Sequence, residues 1–143
     1  MQVKEILAKK GRDVATISQG RTVDDALRLL RERGIGALIV TGTSGPLVGI
    51  FSERDVVRAL AVNGSDALAM TVADLMSTAV TTCGESTTID SLMALMTEKR
   101  IRHVPVVENG VLSGMVSIGD VVKWRVDELE QEKRDLIDYV SAR

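Results

Sequence analysis

The sequence predicts a mixed α/β (α+β) fold made from one unit written twice, each copy reading helix, strand, helix, strand, strand, helix. Three observations carry that reading. Gly49-Ile50-Phe51-Ser52-Glu53-Arg54-Asp55 returns 65 positions later as Gly114-Met115-Val116-Ser117-Ile118-Gly119-Asp120, in the form glycine, two apolar residues, serine, any two, aspartate. Apolar residues recur at helical spacing behind Thr22 and again behind Thr88, and each such run is followed by two strand-like segments. The last segment runs from Ile118 towards Tyr139 without glycine or proline, which predicts a long carboxy-terminal helix.

Composition narrows the function classes. With 143 residues, 45% of them apolar and 27% charged, the chain has the length and balance of a soluble globular domain that needs no disulfide or metal staple. A net charge of -2 offers no basic stripe for a phosphate backbone, and aromatics at 2% supply little for stacking on bases, so nucleic acid is not an expected partner. The single cysteine, Cys83, has no internal disulfide partner and sits in an apolar-alternating stretch, where an inert buried thiol is expected. The amino terminus, Met1-Gln2-Val3-Lys4-Glu5, lacks a charged-then-apolar leader pattern, and no apolar run approaches bilayer length. A cytoplasmic protein with no membrane contact is the expectation.

The elements follow in order. Each copy opens with a short amphipathic piece, Val3 to Leu7 and Val72 to Met76, and continues into a brief extended segment, Val14 to Ser18 and Val80 to Gly84, in which Thr16 and Thr82 are equivalent. Thr22 and Thr88 are placed as N-caps, with Asp24 and Asp90 complementing the helix dipole. Val23, Ala26, Leu27 and Leu30 then form one apolar face, and Ile89, Leu92, Met93 and Met96 the other. Gly34 stops the first helix, whereas the second has Arg100 there and lacks the easy left-handed glycine.

Strands Ala37 to Thr41 and Pro46 to Phe51 flank Gly42-Thr43-Ser44-Gly45; strands Val104 to Val107 and Val111 to Val116 flank the tight-turn pair Asn109-Gly110. Gly42 to Gly45 is read as a hairpin tip, since it lacks the Gly-Lys-Ser/Thr ending of a phosphate loop. Closing helices begin at Ser52 and Ser117. The first reaches about Leu60 and ends in Asn63-Gly64; the second continues past the repeat, with Val122, Val126, Leu129, Leu136 and Val140 on a near-heptad stripe interrupted by Lys133. The dense charge from Asp127 to Asp135 favours a protruding, partner-seeking helix, and a homodimer is the simplest partner. Repeat boundaries fall at 1–64 and 70–125, with 118–143 as the extended helix.

This element order, with Gly-x-x-Ser-x-x-Asp at the last junction of both copies, resembles a tandem pair of cystathionine-beta-synthase (CBS) domains, the arrangement called a Bateman module. The likeness covers Val3 to about Lys123. Arg100-Ile101-Arg102-His103-Val104-Pro105-Val106 and Gly114 to Val122 look especially similar to the second repeat of single-pair proteins from bacteria and plant organelles. The resemblance implies a pseudo-twofold disc with two clefts between the repeats that typically hold adenine nucleotides: AMP first, with ADP, ATP or NAD(H) as competitors. It implies no obligatory cofactor.

By the same resemblance, Asp55 and Asp120 match the aspartate that accepts from the ribose hydroxyls, a task suited to an acceptor-only carboxylate. Ser52 and Ser117 match a hydroxyl at a helix amino terminus near ribose or phosphate, where Gly119 also falls. Thr16 and Thr82 match the residue beside the adenine. Arg102 and His103, with Arg100, fall where family members that bind AMP place basic side chains facing phosphate, and Arg54 is a possible addition from the first copy. The first copy has Gly34, Gly36 and Ala37 at the aligned positions, so the two sites are expected to be unequal.

Rival explanations remain beside these. Ser-x-x-Asp before an apolar run is also close to a capping box. The basic group is equally a solvated edge. A lone histidine without a second histidine or a cysteine pair makes no usual zinc site, and no nucleophile, base and orienter set is present, so an enzyme is not expected. The leading expectation is a non-enzymatic adenine-nucleotide sensor that modulates its own dimer or a partner protein; single-pair relatives are linked to regulation of thioredoxins, but no residue here identifies such a partner. The alternative is an assembly module with unoccupied clefts acting through the carboxy-terminal helix.

Overall fold

The computed structural model describes residues 1–43, 45 and 47–142; Ser44 at the predicted hairpin tip, Pro46 at the predicted start of the next strand, and Arg143 lie outside the described residues. The order is α1 (Val3–Lys10), β1 (Thr16–Ser18), α2 (Val23–Arg33), β2 (Ala37–Thr41), β3 (Leu47–Ser52), α3 (Glu53–Asn63), a 3-10 turn (Gly64–Ala69), α4 (Val72–Leu75), α5 (Ile89–Lys99), β4 (His103–Glu108), β5 (Val111–Ser117) and α6 (Ile118–Ser141).

The chain packs as two compact units that do not follow the order of the repeats. Residues 13–81 form a continuous unit, and Met1–Arg12 joins everything from Thr82 onward in a split unit. The opening helix of each repeat is therefore built into the unit that carries the other repeat's strands. In the split unit, the Val3 and Lys4 amides donate to the Thr87 and Glu85 carbonyls at 2.9 and 3.0 Å, and the Ile89 amide to that of Met1 at 3.1 Å. In the continuous unit, the Val72 and Ala73 amides donate to the Arg21 and Gln19 carbonyls, and Ser77 and Ile50 exchange both backbone bonds.

Each unit has its own core. Val3, Ile6 and Leu7 of α1 pack with Ile89, Leu92 and Met96 of α5 and with strand residues Val104, Val106 and Val116. Val72 of α4 packs with Val23, Ala26 and Leu30 of α2 and with Leu38, Val40 and Phe51. Burying a side chain of this size stabilises by about 1.5–3 kcal/mol, so each opening helix contributes heavily to the unit it joins.

The predicted helix signals operate in both copies. The Thr22 hydroxyl accepts from the Asp25 amide and the Thr88 hydroxyl from the Ser91 amide, each at 3.1 Å. Gly34 ends α2 in the left-handed region at φ 62°, and Arg100 ends α5 in the same region at φ 55°. The second helix thus stops in the glycine geometry without the glycine. Asn109 and Gly110, at φ 52° and 77°, make the tight hairpin turn.

The sheets differ in one respect from expectation. β1 runs parallel to β2, which pairs antiparallel with β3. β4 and β5 pair antiparallel, but the segment Val80 to Gly84, expected as a strand equivalent to β1, makes only a single parallel bridge, Cys83 to Val106. Two changes shorten it: at one end the Glu85 amide turns to the Glu108 carboxylate at 3.1 Å, where the equivalent Gln19 amide donates to the Thr41 carbonyl, and at the other end stands Pro105. In the first copy the Ile39 amide donates to the Ala15 carbonyl at 3.1 Å and extends the ladder; the residue equivalent to Ile39 is Pro105, which has no N–H to give to Thr81, the residue equivalent to Ala15.

Candidate functional site

The glycine, serine and aspartate of the repeated signature each have a distinct structural task. A Cβ at Gly114 would lie 2.7 Å from Leu7 Cδ2, and one at Gly49 would lie 2.8 Å from both Met76 Sδ and the Ser77 carbonyl oxygen. Leu7 and Met76 hold equivalent places counted from Val3 and Val72, Leu7 within α1 and Met76 directly after α4. The glycine is the gap through which each opening helix reaches the last strand of the unit it joins.

Ser52 and Ser117 cap α3 and α6, and the aspartate three residues on closes a capping box in both copies. The Ser52 amide donates to Asp55 Oδ2 at 2.8 Å, as does the Ser52 hydroxyl at 3.2 Å. The Ser117 amide donates to Asp120 Oδ2 at 2.8 Å, and the Asp120 amide donates to Ser117 Oγ at 3.2 Å. All of these bonds to carboxylate engage Oδ2. Both serines and both aspartates are half-buried, so each box faces a partly open surface. Capping is thus real, and among the described residues none of these bonds engages Oδ1 of either carboxylate.

The two boxes differ in charge. Lys10 Nζ, at the end of α1, donates to Asp120 Oδ2 at 2.5 Å, with side-chain exposures of 34% for the lysine and 24% for the aspartate. Burial pushes the Asp120 carboxyl up, but the Lys10 ammonium and the Ser117 amide outweigh it and hold the group below its ordinary 3.8. Among the described residues no ion pair reaches Asp55. Sequence reasoning missed Lys10. The aligned repeats show only a lysine where the other copy has alanine, Lys10 against Ala79 counting on from the matched pair Val3 and Val72; that the lysine reaches Asp120 follows from the seat of α1 on β5.

The remaining expected residues divide between the units. In the split unit, β4–β5 register sets His103 opposite Ser117, and the Arg102 carbonyl accepts from the Ile118 amide at 2.8 Å. Ala37 opposite Ser52, and the Gly36 carbonyl accepting from Glu53, are the same contacts in the other copy. Arg102 and His103 thus adjoin the Ser117 cap, where the other unit has only glycine and alanine. Gly119 is exposed in the first turn of α6. Arg54 is exposed in the first turn of α3, and Thr16 lies on the edge strand of that unit's sheet, exposed and paired with Ile39. Thr82 is exposed beside the Cys83 bridge, and Arg100 precedes β4 in its left-handed turn.

Two features stand apart. Burial pushes the Cys83 thiol up to about 11, so it stays protonated and unreactive near neutrality. A groove of about 440 Å³ runs along α1 and α6, bounded by Met1, Lys9, Trp124 and acidic residues of α6, with Lys9 Nζ 5.2 Å from the Trp124 ring centre. It contains none of the residues expected from the repeats. Among the described residues there is no metal-holding cluster of histidine, cysteine and carboxylates, and no helix is long and apolar enough to cross a membrane.

Comparison with known proteins follows the same division into repeats. The family profile described as CBS domain matches residues 3–62 and 72–127. A curated relative, the mitochondrial CBS domain-containing protein CBSX3 of Arabidopsis thaliana, is 38% identical over 125 residues, covering 85% of this chain and 61% of the relative. The chain thus spans about three fifths of that protein's length. Among solved structures, a CBS-domain containing protein of Agrobacterium tumefaciens superposes with a TM-score of 0.85 at 46% identity, covering 87% of this chain and 92% of that one. A CBS domain protein from Pyrobaculum aerophilum complexed with AMP reaches 0.74 at 25% identity, over 84% and 89% of the two chains. Another CBS domain pair, in complex with 5′-methylthioadenosine and S-adenosyl-L-methionine, reaches 0.79 at 26% identity, over 90% and 98%.

Proposed function

The chain belongs to the CBS-domain family as a tandem pair, and on that premise we propose that it is a non-enzymatic regulatory module that binds an adenine nucleotide, AMP foremost, at the serine–aspartate helix starts. The observation that carries this is the pair of half-buried carboxylates, Asp55 and Asp120, each fixed through Oδ2 by its own capping box with Oδ1 directed to no protein donor among the described contacts. A ribose diol needs such an acceptor, and the amide-rich start of a helix favours a nearby phosphate. The AMP-bound and S-adenosyl-L-methionine-bound relatives support the adenine-ligand class.

Arg100, Arg102 and His103 serve the phosphate at the Asp120 site, and Arg54 assists at Asp55; Thr16 and Thr82 flank the base, and Gly119 lets the ligand approach the backbone. ADP, ATP and NAD(H) compete for the same sites. Binding biases whichever assembly state takes the ligand better, by no more than the difference in affinity. That assembly is a homodimer built on α6, in the cytoplasm, with neither nucleic acid nor membrane as a partner. Fractionation tests the location, an organelle being the other outcome given the mitochondrial relative.

The test is a thermal-shift screen of the purified chain with AMP, ADP, ATP and NAD(H). A ligand at 100 times its dissociation constant stabilises by about 2.7 kcal/mol. An upward shift with at least one nucleotide is the expected result. No shift with any of them favours the second reading, an assembly module acting through the apolar residues exposed along α6, Val126, Leu129, Leu136 and Val140.

A further inference from the structure

We propose that Lys10 sets the charge selectivity of the Asp120 site, so that this site takes nucleoside 5′-phosphates in preference to uncharged or cationic adenosyl compounds. The inference rests on the nucleotide-binding reading above and adds to it a residue that lies outside the repeated signature.

Lys10 is not a loose surface lysine. Three residues before it, Leu7 is buried against Gly114, whose missing Cβ makes room for it. Immediately after it, Gly11 at φ 98° turns the chain out of α1 while its amide still donates to the Leu7 carbonyl. Arg12 then bonds the Glu85 carboxylate and, at 2.7 Å, the Ser113 hydroxyl, which itself donates to Glu85 at 2.9 Å. The lysine is therefore held between two anchors, both on or beside β5, the strand that ends in Ser117. Its ammonium meets Asp120 on Oδ2, the oxygen already used by the Ser117 amide. Oδ1 remains to accept a ribose hydroxyl while the cation stays in place.

A fixed positive charge beside the ribose acceptor has a definite consequence. In a partly desolvated site a neighbouring charge is screened less than in bulk water, so its sign discriminates between ligands. An anionic ligand gains from Lys10, a neutral one gains nothing, and a sulfonium is repelled. Among the described residues no lysine is paired with Asp55, since α4 stops before the position that Lys10 occupies and Ala79 stands there instead. The two carboxylates, alike in their capping boxes, are thereby tuned to ligands of different charge.

Calorimetric titration of the full chain with AMP and with adenosine tests this. Lys10→Met keeps the aliphatic stem and removes the charge; the ratio of AMP to adenosine affinity falls at least tenfold, through weaker AMP binding, and Lys10→Arg restores it. Lys10→Gln, a second uncharged variant with a polar end, gives the same tenfold fall, a readout that stands if Lys10→Met fails to fold. An unchanged ratio in Lys10→Met, or equal losses for the two ligands, overturns the assignment to Lys10 while leaving nucleotide binding intact. If the unaltered chain binds neither ligand, nucleotide binding itself fails and this proposal with it.

Discussion

Gly49 and Gly114 occupy the same place in the signature, yet the cost of filling them differs. At Gly114 the new methyl meets the tip of Leu7, which a rotamer change can partly relieve; at Gly49 it meets the Ser77 carbonyl, which is held by paired backbone bonds to Ile50. Gly49→Ala is therefore the more damaging, within the range of about 1–3 kcal/mol for overpacking, and Gly114→Ala sits at its lower end. Denaturant melts of the two variants give the order directly. Arg100→Gly runs the other way. It relieves a left-handed residue at the end of α5 and raises stability by about 1 kcal/mol, while weakening AMP if the arginine serves the phosphate.

Asp120 predicts an acid limb. Its folded carboxyl titrates below the ordinary 3.8, so the unfolded chain takes up the proton first as pH falls. The stabilisation is complete above that value and is lost as pH drops through the lowered folded one. Asp120→Asn keeps an oxygen for the Ser117 amide but removes the charge, and its stability is flatter than that of the unaltered chain below pH 3.8. An identical acid limb in both proteins would show that the Lys10 pair contributes nothing.

At the scale of elements, the helix ends were legible because their causes are local. Thr22 and Thr88 cap as single residues can, and Asn109-Gly110 makes its turn by its own backbone preference. The shortened sheet of the second copy was not foreseen, although Pro105 stood in the sequence, because its missing amide matters only once its cross-strand partner is known. Pro105→Ile restores the donor, and deuterium exchange should then show a protected amide at residue 105. The long helix divides by its contacts. Its first turns are anchored by buried Val121 and by Arg125, which bonds Asp90 of α5 at 2.8 Å, whereas Leu129, Leu136, Ile137 and Val140 stay exposed. Removing residues 131–143 therefore leaves the melting transition of the core cooperative but converts the proposed dimer to a monomer in light scattering.

At the scale of the molecule, the duplication was readable and the exchange of opening helices was not. Repeats in sequence report ancestry and local pattern; which unit Val3, Ile6 and Leu7 are buried in depends on contacts some 80 to 115 residues away, from Thr87 to Val116. The exchange predicts fragment behaviour. Residues 13–81 fold cooperatively alone, while 1–64, which lacks Ala67 and Val72 from its core, does not. The candidate sites were likewise half legible: the carboxylates and the unequal basic residues stood in the aligned repeats, but Lys10 came into view only when α1 was seated on β5.

The central claim, that Asp55 and Asp120 are ligand acceptors as well as caps, is tested most directly by calorimetric titration of AMP into the unaltered chain and into the Asp55→Asn, Asp120→Asn double variant. The expected result is saturable binding to the unaltered chain and at least a tenfold loss in the variant, with its melting transition still cooperative. Equal affinity in the two proteins would mean that the carboxylates are caps alone.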